Sequence, residues 1–280
     1  MAAPRRVAIA LLVADVDGTL VTPEKTLTTN AVAAVRSLSA AGVGFTLVSS
    51  RPPRSLASLV ATLDVKLPFA AFNGGALVRP DLSIIETHWL SSRTASAALD
   101  LLDRRDIEAW VFADGDWRLR DPDGPYVSSN RRTVGFDPMV VQGFEDVIDR
   151  IDKIVGVSDR PARLAEVEEE ARRLLQGEAT INLSNACYLD VTHPEANKGR
   201  AVEAICGLLG IDLRRTAVIG DMTNDVAMFE RAGFAIAMGQ APDVVKASAD
   251  IVTRSNGEDG FSWAVENLIL PRAARRLAAS

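Results

Sequence analysis

Four short stretches of the chain carry groups that can do chemistry together. The first is Asp15-Val16-Asp17-Gly18-Thr19-Leu20. Two carboxylates two residues apart, just before a glycine turn, can face one site. Side by side they repel, which favours a bound divalent cation or a shared proton. The second is Ser49-Ser50-Arg51, where hydroxyls precede a helix start whose backbone N–H groups can hold a phosphate oxygen. The third is Lys198 in Asn197-Lys198-Gly199, a fixed positive charge able to act against a phosphate and a nucleophile. The fourth, Gly220-Asp221-Met222-Thr223-Asn224-Asp225, is a second acidic cluster. Taken singly, each has a plain explanation: an Asp-Gly turn, a helix N-cap, a surface lysine, a capping aspartate. Together they make a hard-cation site with phosphate ligands, which argues for phosphoryl transfer.

These groups need strand ends to hold them. Val7 to Ala14 is continuously apolar, the pattern of a parallel strand covered on both faces. A helix is predicted from Thr28 to Ala41, capped by Thr28 or Thr29 and by Gly42. Phe45 to Ser49 predicts a second strand, Pro52 to Leu63 a helix, and Phe69 to Phe72 a third strand. Asn73-Gly74-Gly75 then turns the chain. After Thr192 the same rhythm returns, with strands at 217–220, 234–237 and 250–253 and helices at 198–209, 223–232 and 242–249. The expectation is an α/β fold, a doubly wound and mainly parallel sheet, in which each chemical stretch follows a strand's carboxyl end.

The middle of the chain has a different pattern. Ile84 to Trp89 alternates like a half-exposed strand, and Ser91 to Arg105 reads as a helix. Asp114-Gly115 joins two short strands as a hairpin. A strand at 151–157, a charged amphipathic helix at 161–176 and short strands at 181–183 and 188–191 follow. This predicts an α+β insert at 83–190 forming a cap, with the core built from 1–82 and 191–280.

Composition narrows the function classes. The chain has 280 residues, 48% of them hydrophobic and 24% charged. Thirty-one basic residues against 37 acidic ones give a net charge of −6, which disfavours nucleic acid and anionic membrane as partners. Two cysteines, Cys187 and Cys206, and two histidines, His88 and His193, exclude a disulfide framework and a His-rich metal site. Arg5 and Arg6 before the first apolar run resemble the start of a signal peptide, but Asp15 and Asp17 follow at once where small residues would be needed. The run is far shorter than the ~20 residues that cross a bilayer. The expectation is a cytoplasmic monomer or small homo-oligomer acting on a small phosphorylated metabolite. Arg272, Arg275 and Arg276 mark a helix end or a solvated terminus.

With these residues in place, the sequence resembles the haloacid dehalogenase (HAD) superfamily, specifically its Cof-type phosphatases with a class IIB cap. Asp15-Val16-Asp17-Gly18-Thr19 matches the first motif, Ser49 the second, Lys198 the third and Gly220-Asp221 with Asn224-Asp225 the fourth. Asn73-Gly74-Gly75 and Asn256 to Gly260 also match. Ser50 stands where the family usually has Gly, and Gln240 where Asn is usual.

The resemblance implies Asp15 as nucleophile, forming an aspartyl-phosphate, and Asp17 as acid and then base. It implies Mg²⁺ on Asp15, the Asp17 backbone carbonyl and Asp221. Ser49, Ser50, Lys198 and Asn224 would hold phosphate or substrate, with Asp225, Arg51 and Asn73 in support. Arg51 leaves two readings open, neutralising substrate or bracing its loop. His193 reads as a loop histidine beside Pro194. Trp117 reads as core, and Arg118 and Arg120 as solvated strand face, although they, Asn182, Ser184 and Asn185 lie where a leaving group could be touched. The alternatives are a phosphomutase of the phosphomannomutase type and a non-catalytic phosphate-binding regulatory protein.

Overall fold

The first apolar run becomes an interior strand of a five-stranded parallel sheet. The computed structural model describes residues 7–274; Arg5, Arg6, Arg275 and Arg276 lie outside them. From the amino end the chain builds β1 (Leu11–Ala14), α1 (Thr29–Ala40), β2 (Gly44–Leu47), α2 (Pro53–Thr62), β3 (Phe69–Ala71), β4 (Ala76–Val78) and β5 (Ile84–Thr87). It continues through α3 (Ser92–Arg104), β6 (Glu108–Ala113), β7 (Asp116–Leu119), α4 (Val127–Val134), β8 (Met139–Val140), β9 (Ile151–Val157), α5 (Pro161–Leu174), β10 (Thr180–Asn185) and β11 (Tyr188–Thr192). It returns in α6 (Lys198–Leu209), β12 (Thr216–Gly220), α7 (Val226–Phe229), β13 (Phe234–Ala237), α8 (Asp243–Ala247), β14 (Ile251–Val252) and α9 (Gly260–Ala264).

The core sheet runs β14-β13-β12-β1-β2, every pair parallel. A parallel bridge from Val48 to Ala70 carries it on to β3. Leu12 and Ala14 pack on one face of β1, Leu11 and Val13 on the other. Burial on both faces is why this strand is apolar at every position rather than at every second one. The strand is shorter than its apolar run, because Ile9 only bridges Ala273. Register sets Ala14 opposite Ile219 on one side and Leu47 on the other. Asp15, Asp221 and Ser49 therefore leave the sheet at one edge.

The second layer is a six-stranded sheet, β10-β11-β9-β6-β7-β8, backed by α3 and α5. Its pairs are antiparallel except β7 with β8. The β6–β7 hairpin turns through Asp114 and Gly115, both at positive φ, as an Asp-Gly turn requires. Alternation divides this sheet cleanly. Ala109, Val111, Ile154, Leu189 and Val191 pack with the helices, whereas Trp110, Phe112, Trp117 and Val155 pack on the core side.

Some elements differ from the sequence expectation. Ile84 to Thr87 pairs with β4, and β4 with β3, so this strand lies on a three-stranded sheet beside the core rather than in the six-stranded layer. The helix expected at 223–232 is a 3-10 turn followed by the four-residue α7. Elements β4, α4, β8 and α9 carry no clear sequence period, being short or mostly polar. Arg272 ends a 3-10 turn with its guanidinium 4.5 Å from the Phe234 ring centre. Both chain crossings between the layers pass a histidine. The rings of His88 and His193 stack 5.2 Å apart, so His193 belongs to this crossing and accepts from the Glu195 N–H.

Candidate active site

The carboxyl ends of β1, β2 and β12 bring the predicted groups together. Lys198, the first residue of α6, lies fully inside the protein between two carboxylates. Its Nζ donates to Asp15 Oδ1 and to Asp225 Oδ1, each at 2.6 Å. Burial alone would lower the pKa of this ammonium, but the Asp15 and Asp225 charges outweigh it and hold the group above the ordinary lysine range. Asp225 Oδ2 accepts from the Asp221 and Met222 N–H groups at 2.8 and 2.9 Å. Every oxygen of Asp225 is thus engaged, so this residue fixes both the lysine and the loop that carries Asp221.

Asp221 receives the Thr19 hydroxyl at 3.2 Å. Burial, with the nearby Asp225 charge, pushes its pKa up to about 6. Burial also raises Asp15 well above the usual carboxylate range, even against the pull of Lys198. One ammonium therefore does not neutralise the cluster. Asp15, Asp221 and Asp225 each offer a carboxylate oxygen, all within 4.8 Å of one another. Hard oxygen donors with surplus negative charge suit a hard divalent ion.

Backbone geometry makes this crowding possible. Gly18 sits at φ +82°, and a Cβ there would lie 2.2 Å from Asp221 Oδ2. A Cβ on Gly220 would lie 2.4 Å from Asp225 Cγ. Any larger residue at either position would drive the carboxylates apart.

Asp17 faces another way. Arg51 grips it through two hydrogen bonds, at 2.7 and 2.8 Å, and Lys25 lies 2.7 Å from the same carboxylate. Burial would raise its pKa, yet these two cations hold it down at about 2. Its carboxylate is not part of the three-aspartate cluster. Of the two readings for Arg51, the structure shows one contact, a brace on Asp17.

The remaining predicted residues surround the cluster. Ser49 is buried, and its Oγ accepts the Arg51 N–H at 3.2 Å. Asn73 accepts from Asn224 Nδ2 at 3.0 Å, joining two loops over the site. Asn73 stands at φ +59°, a left-handed conformation that asparagine tolerates. Ser50, Asn73, Lys198 and Asn224 line a small cavity of about 90 Å³ with Asp15 and Asp17. Gln240 bridges loops where Asn is usual: its amide donates to the Gly18 carbonyl at 2.6 Å and its Oε1 accepts from Asn256 N–H at 3.0 Å.

Sequence reasoning missed Lys25 and the second task of Thr19. The Thr19 position lay inside the first motif, but nothing in the spacing linked it to Asp221. Lys25 had no signal beyond an ordinary charged loop. In the second layer, Trp117 is core as expected; Arg118, expected on a solvated face, is instead buried against Asp146 at 2.7 Å, and Arg120 pairs with Asp103 at 2.7 Å.

A model of the haloacid dehalogenase-like hydrolase family matches residues 12–265. The chain is similar to the 5-amino-6-(5-phospho-D-ribitylamino)uracil phosphatase YcsE of Bacillus subtilis (strain 168). The two are 26% identical over 94% of this chain and 96% of that one. Among solved structures, a haloacid dehalogenase-like hydrolase from Bacteroides thetaiotaomicron superposes with a TM-score of 0.85 at 23% identity, covering 93% of this chain and 99% of that one. The HAD subclass IIB sugar phosphatase BT4131 superposes with a TM-score of 0.82 at 22% identity, covering 93% and 99%.

Proposed function

Since the chain belongs to the haloacid dehalogenase-like hydrolases and is a phosphatase of that family, we propose that it hydrolyses small phosphorylated metabolites, sugar phosphates among them, through an aspartyl-phosphate on Asp15. The observation that carries this reading is the buried Asp15–Lys198–Asp225 bridge beside Asp221. In it, a carboxylate nucleophile, a fixed cation from the start of α6 and a second acid meet at the carboxyl edge of the core sheet.

Asp15 attacks phosphorus, the P–O bond to the alcohol breaks, and an acyl phosphate forms. Lys198 offsets the repulsion between the carboxylate and the incoming phosphate, and Ser49, Ser50 and Asn224 hold its oxygens. Asp17, held ionised by Arg51 and Lys25, must leave that grip and take up a proton from solvent, which it then gives to the departing alkoxide. As a carboxylate it then takes a proton from the water that cleaves the acyl phosphate, releasing phosphate and restoring Asp15.

Asp15, Asp221 and the Asp17 carbonyl would hold Mg²⁺, with Asp225 supporting from behind. A bound Mg²⁺ would add charge neutralisation at the phosphate oxygens. The raised pKa of Asp15 and Asp221 marks the charge such an ion would balance. The six-stranded layer with its helices, from Ser92 to Thr192, would act as the cap, and a cytoplasmic setting fits the two unpaired cysteines. No helix among the described residues is long and apolar enough to cross a membrane. The phosphatase reading outweighs a mutase because Arg118 and Arg120 are spent on Asp146 and Asp103 rather than facing the site.

The test is phosphate release from acetyl phosphate by the wild-type protein and Asp15→Asn, with Mg²⁺ and with EDTA. Release that needs both Asp15 and Mg²⁺ is expected. Equal release by Asp15→Asn would overturn the nucleophile assignment.

A further inference from the structure

Asp17 stands at the boundary of two cavities. One is the small cavity over Asp15, which it lines with Lys198 and Asn224. The other, of about 360 Å³, opens toward an aromatic wall that Trp110, Phe112 and Tyr188 form on the six-stranded sheet. Lys25 and Arg51, the two cations that grip the Asp17 carboxylate, line the larger cavity and not the smaller. The grip therefore holds this carboxylate on the outer side of the boundary, while Asp15 lies on the inner side.

The two cations are held in different ways. Arg51 is fixed: its N–H donates to Ser49 Oγ at 3.2 Å, its carbonyl accepts the Phe72 N–H at 3.0 Å, and its side chain is 10% exposed. Its guanidinium already takes both Asp17 oxygens, Nε on Oδ2 at 2.7 Å and Nη2 on Oδ1 at 2.8 Å. Lys25 adds a third bond, 2.7 Å to the Oδ1 that Arg51 already holds, from a side chain that is 46% exposed. It comes from a tight turn in which the Lys25 N–H donates to the Thr22 carbonyl and the Thr22 N–H to the Thr26 carbonyl, each at 2.9 Å. Lys25 sits there at φ +62°, a left-handed conformation that glycine or asparagine takes up with less strain. Strain kept at a residue whose side chain reaches the acid points to a role for that side chain.

We propose that Lys25 is a positioning residue for the acid step, a catch that holds Asp17 on the outer side until the carboxyl turns in toward Asp15. Arg51 sets the direction of the grip, and Lys25 sets how firmly it closes. Each release of an alcohol has to break the Lys25 bond before Asp17 can reach the departing oxygen. Removing the ammonium leaves both Arg51 bonds in place and makes the inward turn easier. A lysine that only fills a surface turn would have no bearing on which esters are cleaved. The proposal rests on the phosphatase reading for Asp17 as the acid, and it adds the residue that governs when that acid is free.

The test compares kcat/KM, with Mg²⁺ present, for benzyl phosphate and p-nitrophenyl phosphate. The two esters are alike in shape, but the benzyl alkoxide needs a proton to depart, whereas p-nitrophenolate leaves without one. Lys25→Met should raise the benzyl-to-nitrophenyl ratio by about two- to fivefold, the effect of one half-exposed ion pair, and Lys25→Arg should return it to the wild-type value. Asp17→Asn should lower the same ratio by about 100-fold or more. Lys25→Met added to Asp17→Asn should then leave the ratio where it is, because no carboxylate remains to be held. A ratio that Lys25→Met leaves unchanged or lowers, while Asp17→Asn still lowers it, would overturn the proposal and keep Asp17 as the acid. An Asp17→Asn variant that slows both esters in proportion would fell the acid assignment, and the role of Lys25 with it. A rise in KM equal for both esters in Lys25→Met, with no change in ratio, would make Lys25 a general attractor of phosphate and also overturn the proposal.

Discussion

The two layers solve opposite problems with buried polar groups. At the core edge, charges are packed until each is tied to another: Lys198 to Asp15 and Asp225, Asp225 to two backbone N–H groups, Asp221 to Thr19. On the core-facing side of the six-stranded sheet, Trp110, Asn130 and Asp190 keep polar atoms without partners. The charged groups of the core edge hold one another in a fixed geometry, as a reaction common to many substrates demands, while the neutral Asn224 Oδ1 beside them has no partner. The charged cluster and the aromatic wall therefore differ in how their buried polar groups are partnered.

The comparison is most open to attack at Asp15. Asp15→Asn should cut kcat by roughly 10⁴-fold or more, as loss of a nucleophile does, while circular dichroism stays native. A native-like rate would separate the cluster from the chemistry. Lys198→Ala should come next. It leaves Asp15 and Asp225 buried without their cation, at a cost of about 3–5 kcal/mol in denaturant unfolding as well as activity. Unchanged stability would mean that the network is not saturated in the way its distances state.

Divalent ions should act on the core site alone. The metal-free protein carries Asp15 and Asp221 with pKa values above 3.8, Asp221 at about 6. Raised carboxyl groups stabilise the fold while protonated, so their contribution is present below about pH 4 and is lost as pH rises through about 6. Mg²⁺ should therefore raise the melting temperature more at pH 8 than at pH 5, and a scan at both values checks it. A rise independent of pH would place the ion elsewhere. The smallest effect on activity should come from the helix-facing side of the second sheet. Ile154→Ala should cost about 2–5 kcal/mol of stability and leave the substrate ranking as it was. A changed ranking would show that the two faces are not separate in function.

Legibility in the sequence followed the same division. The core and its candidate site were readable because strand-end motifs are local: Asp15-Val16-Asp17-Gly18 and Gly220-Asp221 name both the residues and the turn that presents them. In the second layer short strands were readable beside the Asp114-Gly115 turn, whereas the alternation at Ile84 to Trp89 belongs to the sheet beside the core. The aromatic wall was not readable, since Trp110, Lys153 and Asp190 meet only through strand pairing across some 80 residues of chain. Register sets Phe112 opposite Lys153, and Val155 opposite both Trp110 and Asp190. No spacing in the sequence encodes that. Helix α4, which brings Asn130 to the wall, has Tyr126 in a left-handed conformation at its start instead of a capping side chain, so no start signal announced it. The Asp17–Arg51–Lys25 cluster was hidden for a related reason: three polar loop residues carry no period.

The central claim is that phosphate passes through Asp15. A rapid-quench experiment with ³²P-labelled acetyl phosphate and Mg²⁺ tests it directly. The account predicts label on the chain within a single turnover, labile to hydroxylamine as an acyl phosphate is, and absent from Asp15→Asn. Steady turnover with no labelled chain at any quench time, or label that persists in Asp15→Asn, would contradict it.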